Sequence, residues 1–171
     1  MNRIHSRFTR LLLALASGLA VVASIEAPAS ASTATGSFNS TVTIQANCQV
    51  VSTNTLNFGT QGLLAANTDA SATFAVQCTN STAYNIGLDA GTTVGGTVAT
   101  RLMTSGSATV SYKMFSDSGR ATNWGNTVGT DTVSGTGNGS SQTLTVYGRV
   151  PAQTTPAAAT YTDTVTVTVT Y

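Results

Sequence analysis

The strongest constraint on the fold is an alternation of apolar and hydroxyl side chains that recurs along the chain. It is clearest at residues 164–171, where threonines alternate with Val165, Val167, Val169 and Tyr171. Successive side chains of a strand lie on opposite faces, so a period of two predicts half-buried β-strands. The 32 threonines among residues 32–171 strengthen this prediction, since β-branched side chains favour extended backbone.

Shorter alternating runs are separated by clusters of turn-forming residues. The runs lie within 36–46, 72–79, 84–88, 109–115 and 142–150. The turn clusters lie within 89–96, 104–107, 116–119 and 125–141, and Pro151 ends the run before it because proline cannot donate to a sheet ladder. If a short strand within 56–63 is counted, about six strands follow Cys48, which predicts a single all-β sandwich domain.

The first 31 residues have the pattern of a secretory signal peptide. Three arginines within the first ten residues precede an apolar run over 11–22, and Ala29-Ser30-Ala31 forms a small-residue cleavage site. The apolar run is shorter than the ~20 residues that span a bilayer, which argues against a membrane anchor. We predict cleavage after Ala31, with residues 27–29 as a weaker alternative site.

The remaining chain offers few groups for catalysis or for binding a polyanion. Residues 32–171 contain four cationic and five acidic side chains, with neither histidine nor glutamate. This composition does not suggest a basic face for nucleic acid. Lys113 is the only lysine that could activate a hydroxyl nucleophile. We therefore expect neither an enzyme nor a protein with a cofactor, a small-molecule substrate or a metal.

Cys48 and Cys78 are the only cysteines of the chain. In an exported protein an even cysteine count predicts a disulfide rather than a metal site. A zinc site would need four ligands, and no histidine follows the predicted cleavage site to complete one. The alternative is a pair of free, buried thiols.

Several segments, taken in their order and spacing, resemble the spore coat protein U domain, which is shared by major subunits of archaic chaperone–usher pili. Cys48 directly follows the alternating N-terminal run. The other matching segments are LNFG at 56–59, FAVQC at 74–78, RLM at 101–103, VSYKMFSD at 110–117, WG at 124–125, VYGRVPA at 146–152 and YTDTVTVTV at 161–169.

The resemblance implies an incomplete immunoglobulin-like β-sandwich that lacks its last strand, preceded by an N-terminal donor strand. The gap would form a hydrophobic groove, which a periplasmic chaperone fills first. The donor strand of a neighbouring subunit would then replace the chaperone, which is donor-strand complementation. The implied partners are a pilus chaperone, an outer-membrane usher, and neighbouring copies of this chain or related pilins.

The resemblance also assigns residues to the two halves of this interaction. Residues 32–46 would form the donor segment and 47–171 the domain. The donor side chains would be Phe38, Ser40, Val42 and Ile44. The acceptor wall would include Val165, Val167, Val169 and Tyr171. Related donors tend to have a larger apolar residue where Ser40 stands. In a single chain we expect residues 36–44 either to extend as a tail or to fold back beside 165–171.

These features predict a structural pilus subunit that is exported through the periplasm to the cell surface and supports adhesion and biofilm formation. The alternatives are a secreted monomeric binding module and a coat protein of cells or spores.

Two side chains also admit two interpretations each. Asp163 could bind a ligand or hydrogen-bond backbone at the start of a strand, and Trp124 could stack on a sugar or pack between a loop and the sheet.

Overall fold

The computed structural model describes residues 29–171, and these form strands, turns and loops without a helix. The predicted signal peptide lies mostly outside the described residues. The eight strands are β1 (Cys48–Thr53), β2 (Thr68–Cys78), β3 (Ala83–Leu88), β4 (Arg101–Ser105), β5 (Ala108–Phe115), β6 (Val133–Thr136), β7 (Ser141–Val150) and β8 (Val167–Thr170). No helix in this part of the chain is long and apolar enough to cross a membrane.

The strands form two antiparallel sheets, which confirms the predicted all-β fold class. One sheet has five strands in the order β1-β2-β7-β5-β4, and the other has three in the order β6-β3-β8. All eight strands belong to the compact unit Val42–Tyr171. The longest ladder joins β2 to β7 from the pair Thr68↔Val150 to the pair Gln77↔Ser141. Pro151 directly follows β7, as expected of a residue that cannot donate to the ladder.

The core lies between the two sheets and consists mainly of alternate side chains from the central strands. Its buried side chains are Leu64, Phe74, Val76, Cys78, Tyr84, Ile86, Leu88, Val110, Tyr112, Met114, Trp124, Val146 and Val150. Leu56 and Phe58 pack against this core without forming a strand. Their close approach requires Gly148 in β7, because a Cβ atom there would lie 2.7 Å from the Leu56 side chain.

The strand count differs from the sequence prediction in four places. The short strand expected within 56–63 is absent from this structure, and the side chains of Leu56 and Phe58 instead cover the β7 backbone at Gly148. The predicted runs include no strand at Cys48–Thr53 or at Arg101–Ser105, where β1 and β4 form. Residues 125–141 were expected to be a turn segment, although β6 forms there against β3. The three strands that were not predicted all lie at sheet edges.

Cys48 and Cys78 form a disulfide, with their Cα atoms 4.1 Å apart. The two residues are also direct partners in the β1–β2 ladder, at the first position of β1 and the last of β2. The alternative of two free thiols was therefore wrong. The bond fixes the point at which the chain enters the five-stranded sheet.

Candidate functional site

The candidate site lies where the outer edges of the two sheets meet, between β1 and β8. We call this region the β1–β8 seam, formed by Cys48–Thr53 and Val167–Thr170. β1 bonds only to β2 and β8 only to β3, so within residues 29–171 no strand pairs with the outer edge of either. The two strands lie close to each other. The seam thus exposes two rows of backbone hydrogen-bonding groups.

β8 presents an apolar face to the core and a hydroxyl face to solvent. Val165, Val167 and Val169 are half-buried and pack against the core, whereas the intervening threonines are exposed. The alternation that predicted a strand is therefore confirmed over Val167–Thr170. Tyr171 lies beyond β8 and is exposed, and its hydroxyl donates to the Asn47 side-chain oxygen at 3.3 Å. This hydrogen bond joins the two sides of the seam at one end.

The β1 side of the seam is also apolar and irregular. Val50 and Val51 are both exposed. The ladder with β2 shifts register between Val50 and Ser52, so Val51 is an extra residue without a partner in β2. A bulge of this kind bends an edge strand and increases its twist. The outer edge of β1 therefore carries unburied valines beside an open ladder.

The predicted donor residues belong to a segment without secondary structure. Residues 29–47 contain neither helix nor strand. The side chains of Phe38, Val42 and Ile44 are 90%, 83% and 74% exposed, and Ser40 is exposed as well. The run 36–46 thus forms no strand in the single chain, and its role as a donor strand stays a prediction.

Asp163 holds the chain that leads into β8. Its Oδ1 accepts hydrogen bonds from the backbone N–H groups of Thr92 and Thr93 at 2.9 and 3.2 Å, and from both threonine hydroxyls. Its Oδ2 accepts the Tyr112 hydroxyl at 2.7 Å. Burial raises the pKa of Tyr112, and the bond to Asp163 raises it further. Of the two interpretations of Asp163, the structure shows the backbone-binding one.

Asp89 provides a second carboxylate tie to the same stretch. Its Oδ1 accepts the backbone N–H groups of Gly91 and Thr166, each at 2.9 Å. Partial burial alone would raise the pKa of Asp89, but the hydrogen bonds from Thr166 and Gly91 outweigh it and lower the pKa. Composition and alternation did not single out Asp89, although its position directly after a predicted strand was a signal for a loop-capping role.

The three arginines that follow the predicted signal peptide have structural partners. Arg101 is fully buried and donates to the carbonyl oxygens of Leu88, Asp89, Val98 and Trp124 at 2.7–3.0 Å. Burial lowers its pKa, and Tyr112 and nearby carboxylates oppose that effect. Arg120 and Arg149 both contact Asp69, and the latter pairing is bidentate, at 2.7 and 2.8 Å. They form no basic patch.

Trp124 is a packing residue. Only 1% of it is exposed, and its indole N–H donates to the Ile86 carbonyl at 2.8 Å. Its ring lies 5.7 Å from that of Phe74, measured between centroids. A buried ring cannot serve as a sugar-stacking platform, so that interpretation was wrong. Among residues 29–171, no group of three or more histidine, cysteine, aspartate or glutamate residues could hold a metal ion.

A comparison with known protein families identifies the family of this chain. The sequence model described as "Spore Coat Protein U domain" matches residues 34–168. The chain belongs to this family. The family match includes most of the exposed segment, all of β1 to β7 and the start of β8. No curated protein matches the chain.

A solved structure is similar in fold. It is the crystal structure of the CsuC–CsuE chaperone–tip adhesion subunit pre-assembly complex from archaic chaperone–usher Csu pili of Acinetobacter baumannii. The match has a TM-score of 0.55 and 27% sequence identity, and it covers 75% of this chain. It covers 40% of the matched chain, so the present chain corresponds to less than half of that protein. The resemblance to pilus subunits noted from the sequence is thereby confirmed.

Proposed function

We propose that the chain is a structural subunit of a chaperone–usher pilus and polymerises by donor-strand complementation. One observation carries the proposal. The same chain has an open seam between two sheet edges and a separate, exposed segment with the alternation of a strand. An open edge and a strand without a partner are complementary, and an extended peptide that adds to a sheet edge satisfies both.

In this proposal the donor is the segment of a neighbouring copy or a related pilin. Phe38, Val42 and Ile44 share one face of an extended chain and would enter the β1–β8 seam against the apolar wall of β8. Burial of each would contribute about 1.5–3 kcal/mol, because these side chains are now almost fully exposed. Ladder hydrogen bonds to the edges of β1 and β8 would add to this.

Before assembly the seam needs a temporary occupant. An unpaired edge with exposed valines promotes aggregation, and we propose that a periplasmic chaperone covers it until a donor arrives. An outer-membrane usher would then organise the exchange at the cell surface. The proposal is supported by the similarity to a chaperone-bound tip adhesion subunit of Csu pili. Export is supported by the predicted signal peptide and by the Cys48–Cys78 disulfide, which suits an oxidising compartment.

The resulting fibre would support adhesion and biofilm formation through its surface and length. Strand exchange makes and breaks no covalent bond, so the proposed role requires no catalytic residue. A monomeric binding module would keep its strands in its own sheets, and the exposed segment argues against that function. A coat protein remains the alternative that assembly experiments must separate from a pilus.

The experiment compares two substitutions at neighbouring positions of the segment. Val42→Arg places a charge on the apolar face, which is costly in a groove without a partner charge. Thr43→Arg places the same charge on the opposite face and serves as the matched control. We expect Val42→Arg to abolish fibres in electron micrographs and in detergent-resistant ladders of surface material, and Thr43→Arg to retain them. Both variants should be exported, disulfide-bonded and bound to the chaperone.

Four outcomes would contradict the proposal. Normal fibres from Val42→Arg would reject the donor assignment. Equal loss of fibres in both variants would reject the assignment of faces. Loss of chaperone binding in Val42→Arg alone would place Val42 in the core of its own domain and favour the monomeric module. A surface layer without fibres in the parent strain would favour the coat protein.

A further inference from the structure

The chain changes sheets immediately before β8. Thr162 forms two backbone hydrogen bonds with Thr104 of β4, at 2.9 and 3.1 Å, on the edge of the five-stranded sheet. From Thr166 onward the chain bonds to the other sheet, first to the N–H of Asp89 and then along β3. Residues 163–165 therefore cross from one sheet to the other, and Val165 of the predicted acceptor wall lies in this crossing.

The crossing is held by the Asp163 carboxylate, which accepts hydrogen bonds from a neighbouring loop and from Tyr112, rather than by pairing between strands. We call the groups that donate these hydrogen bonds the Asp163 cradle. The five hydrogen bonds of Asp163 come from three residues, Thr92, Thr93 and Tyr112. The carboxylate also lies against Gly91, whose φ is +83°, and a Cβ atom at that position would overlap it. Consecutive N–H groups that converge on one anion form a strong, directional contact. The loop after β3 is thus shaped around this one side chain.

We propose that Asp163 is a positioning residue for donor-strand uptake, which fixes the start of the acceptor strand in the place where a donor can pair with it. This inference rests on the proposed function. Its physical basis is that β8 pairs over only four residues and on one edge. The fraction of molecules in which β8 is correctly positioned therefore depends on the hydrogen bonds that hold the chain just before it. A donor binds more weakly in proportion as that fraction falls.

Asp117 offers a matched control within the same domain. Its carboxylate accepts the backbone N–H groups of Ala121 and Thr122, at 2.6–3.1 Å, in the loop after β5. Like Asp163, it is partly buried and closes a loop. Its described hydrogen bonds lie within its own loop and do not involve the chain that leads into β8. Removing either carboxylate should lower the stability of the domain, but only the loss of Asp163 should change the affinity for a donor.

The experiment measures the binding of a fluorescent peptide of residues 36–46 to the full chain. Every acceptor also carries Val42→Arg, so that its own segment neither polymerises nor competes. We expect Asp163→Ala to raise the Kd about tenfold, because it leaves the cradle donors without an acceptor. The conservative Asp163→Asn should recover most of the affinity, with a Kd within about threefold of the parent. Asp117→Ala should leave the Kd within about twofold while lowering the unfolding midpoint.

The possible results distinguish a failure of this inference from a failure of the proposed function. An unchanged Kd in Asp163→Ala would overturn this inference alone. A Kd that rises equally in Asp117→Ala would show a general effect of stability and would also overturn it. If Asp163→Ala fails to fold, Tyr112→Phe removes one donor and should raise the Kd about threefold, and no change there would overturn the inference. A parent chain that does not bind the peptide would instead reject the proposed function.

Discussion

Residues 38–44 and 165–171 have the same alternation of apolar and small polar side chains but opposite environments. In the first segment Phe38, Val42 and Ile44 are almost fully exposed, and the backbone forms no strand. In the second, Val165, Val167 and Val169 are half-buried, and Val167–Thr170 pairs with β3. The pattern therefore defines an apolar face in both, whereas strand formation depends on an available partner edge.

The second segment has hydrogen-bonded strand pairing on only one of its two edges in the described part of the chain. β8 has a partner on one edge, and within the described part of the chain its other edge has none. The first segment would have both a face to bury and a full set of backbone groups to pair. Under the proposed function, the first segment of one molecule would pair with the open edge of β8 in a neighbouring molecule. Three predictions, beyond the two experiments above, test how firmly this contrast holds.

The largest expected effect is that of the disulfide, which marks the end of the exposed segment. Its loop spans 30 residues, and by the chain-entropy estimate it stabilises the domain by about 3–4 kcal/mol. The variant Cys48→Ala/Cys78→Ala should lose that stability in urea unfolding of the full chain, and reduction of the parent with dithiothreitol is the control. An unfolding midpoint equal to that of the oxidised parent would show that the β1–β2 ladder alone fixes this boundary.

The second effect concerns the apolar face of β8, which is proposed to receive the donor. Val167→Arg puts a charge on the half-buried side of β8 and should lower stability by about 2 kcal/mol. It should also weaken chaperone binding and reduce the amount of subunit in the periplasm. Thr168→Arg, on the exposed side, is the matched control and should behave as the parent in thermal unfolding and co-purification with the chaperone. Equal behaviour of the two would contradict the assignment of the acceptor face.

The smallest expected effect is that of a change at Ser40, in the segment proposed as the donor. Ser40 lies on the same face as Phe38 and Val42 but adds little apolar surface. If the seam has room at that point, Ser40→Val should strengthen each subunit contact by about 1 kcal/mol. The fibres should then need a higher temperature in detergent to dissociate, whereas the isolated subunit should unfold as before. A lower dissociation temperature would indicate a shallow pocket that only a small side chain fits.

The sequence predicted the strands that have an alternating apolar face and missed three strands at sheet edges. β2, β3, β5, β7 and β8 each contain alternating apolar residues that face the core, so their period of two was visible. β4 has one fully buried side chain, the cationic Arg101, and β1 and β6 have none. Where packing does not impose an alternation, pairing with a neighbouring strand decides the structure, and a single sequence does not reveal that pairing.

The candidate site was predictable in the same uneven way. The alternation at 165–171 predicted a strand, and the even cysteine count predicted a disulfide, and both are present. The acceptor role of the strand was implied by the family resemblance and stays a prediction. The role of Asp163 depends on Thr92 and Thr93, which lie about 70 residues earlier in the chain. Such a contact forms only when a loop folds around a distant side chain. Composition and periodicity report local preferences, so they cannot identify the partners of a single carboxylate.

The position of the disulfide has a mechanical consequence. A pull on the chain before Cys48 would otherwise peel β1 from β2, one pair of ladder bonds at a time, starting at the pair Cys48↔Cys78. The covalent bond joins that first pair and transmits the load directly to the end of β2. β2 is held to β7 along most of its length, so the force would have to shear a long ladder rather than unzip a short one. The β1 edge of the sheet is thereby removed from the path of tension.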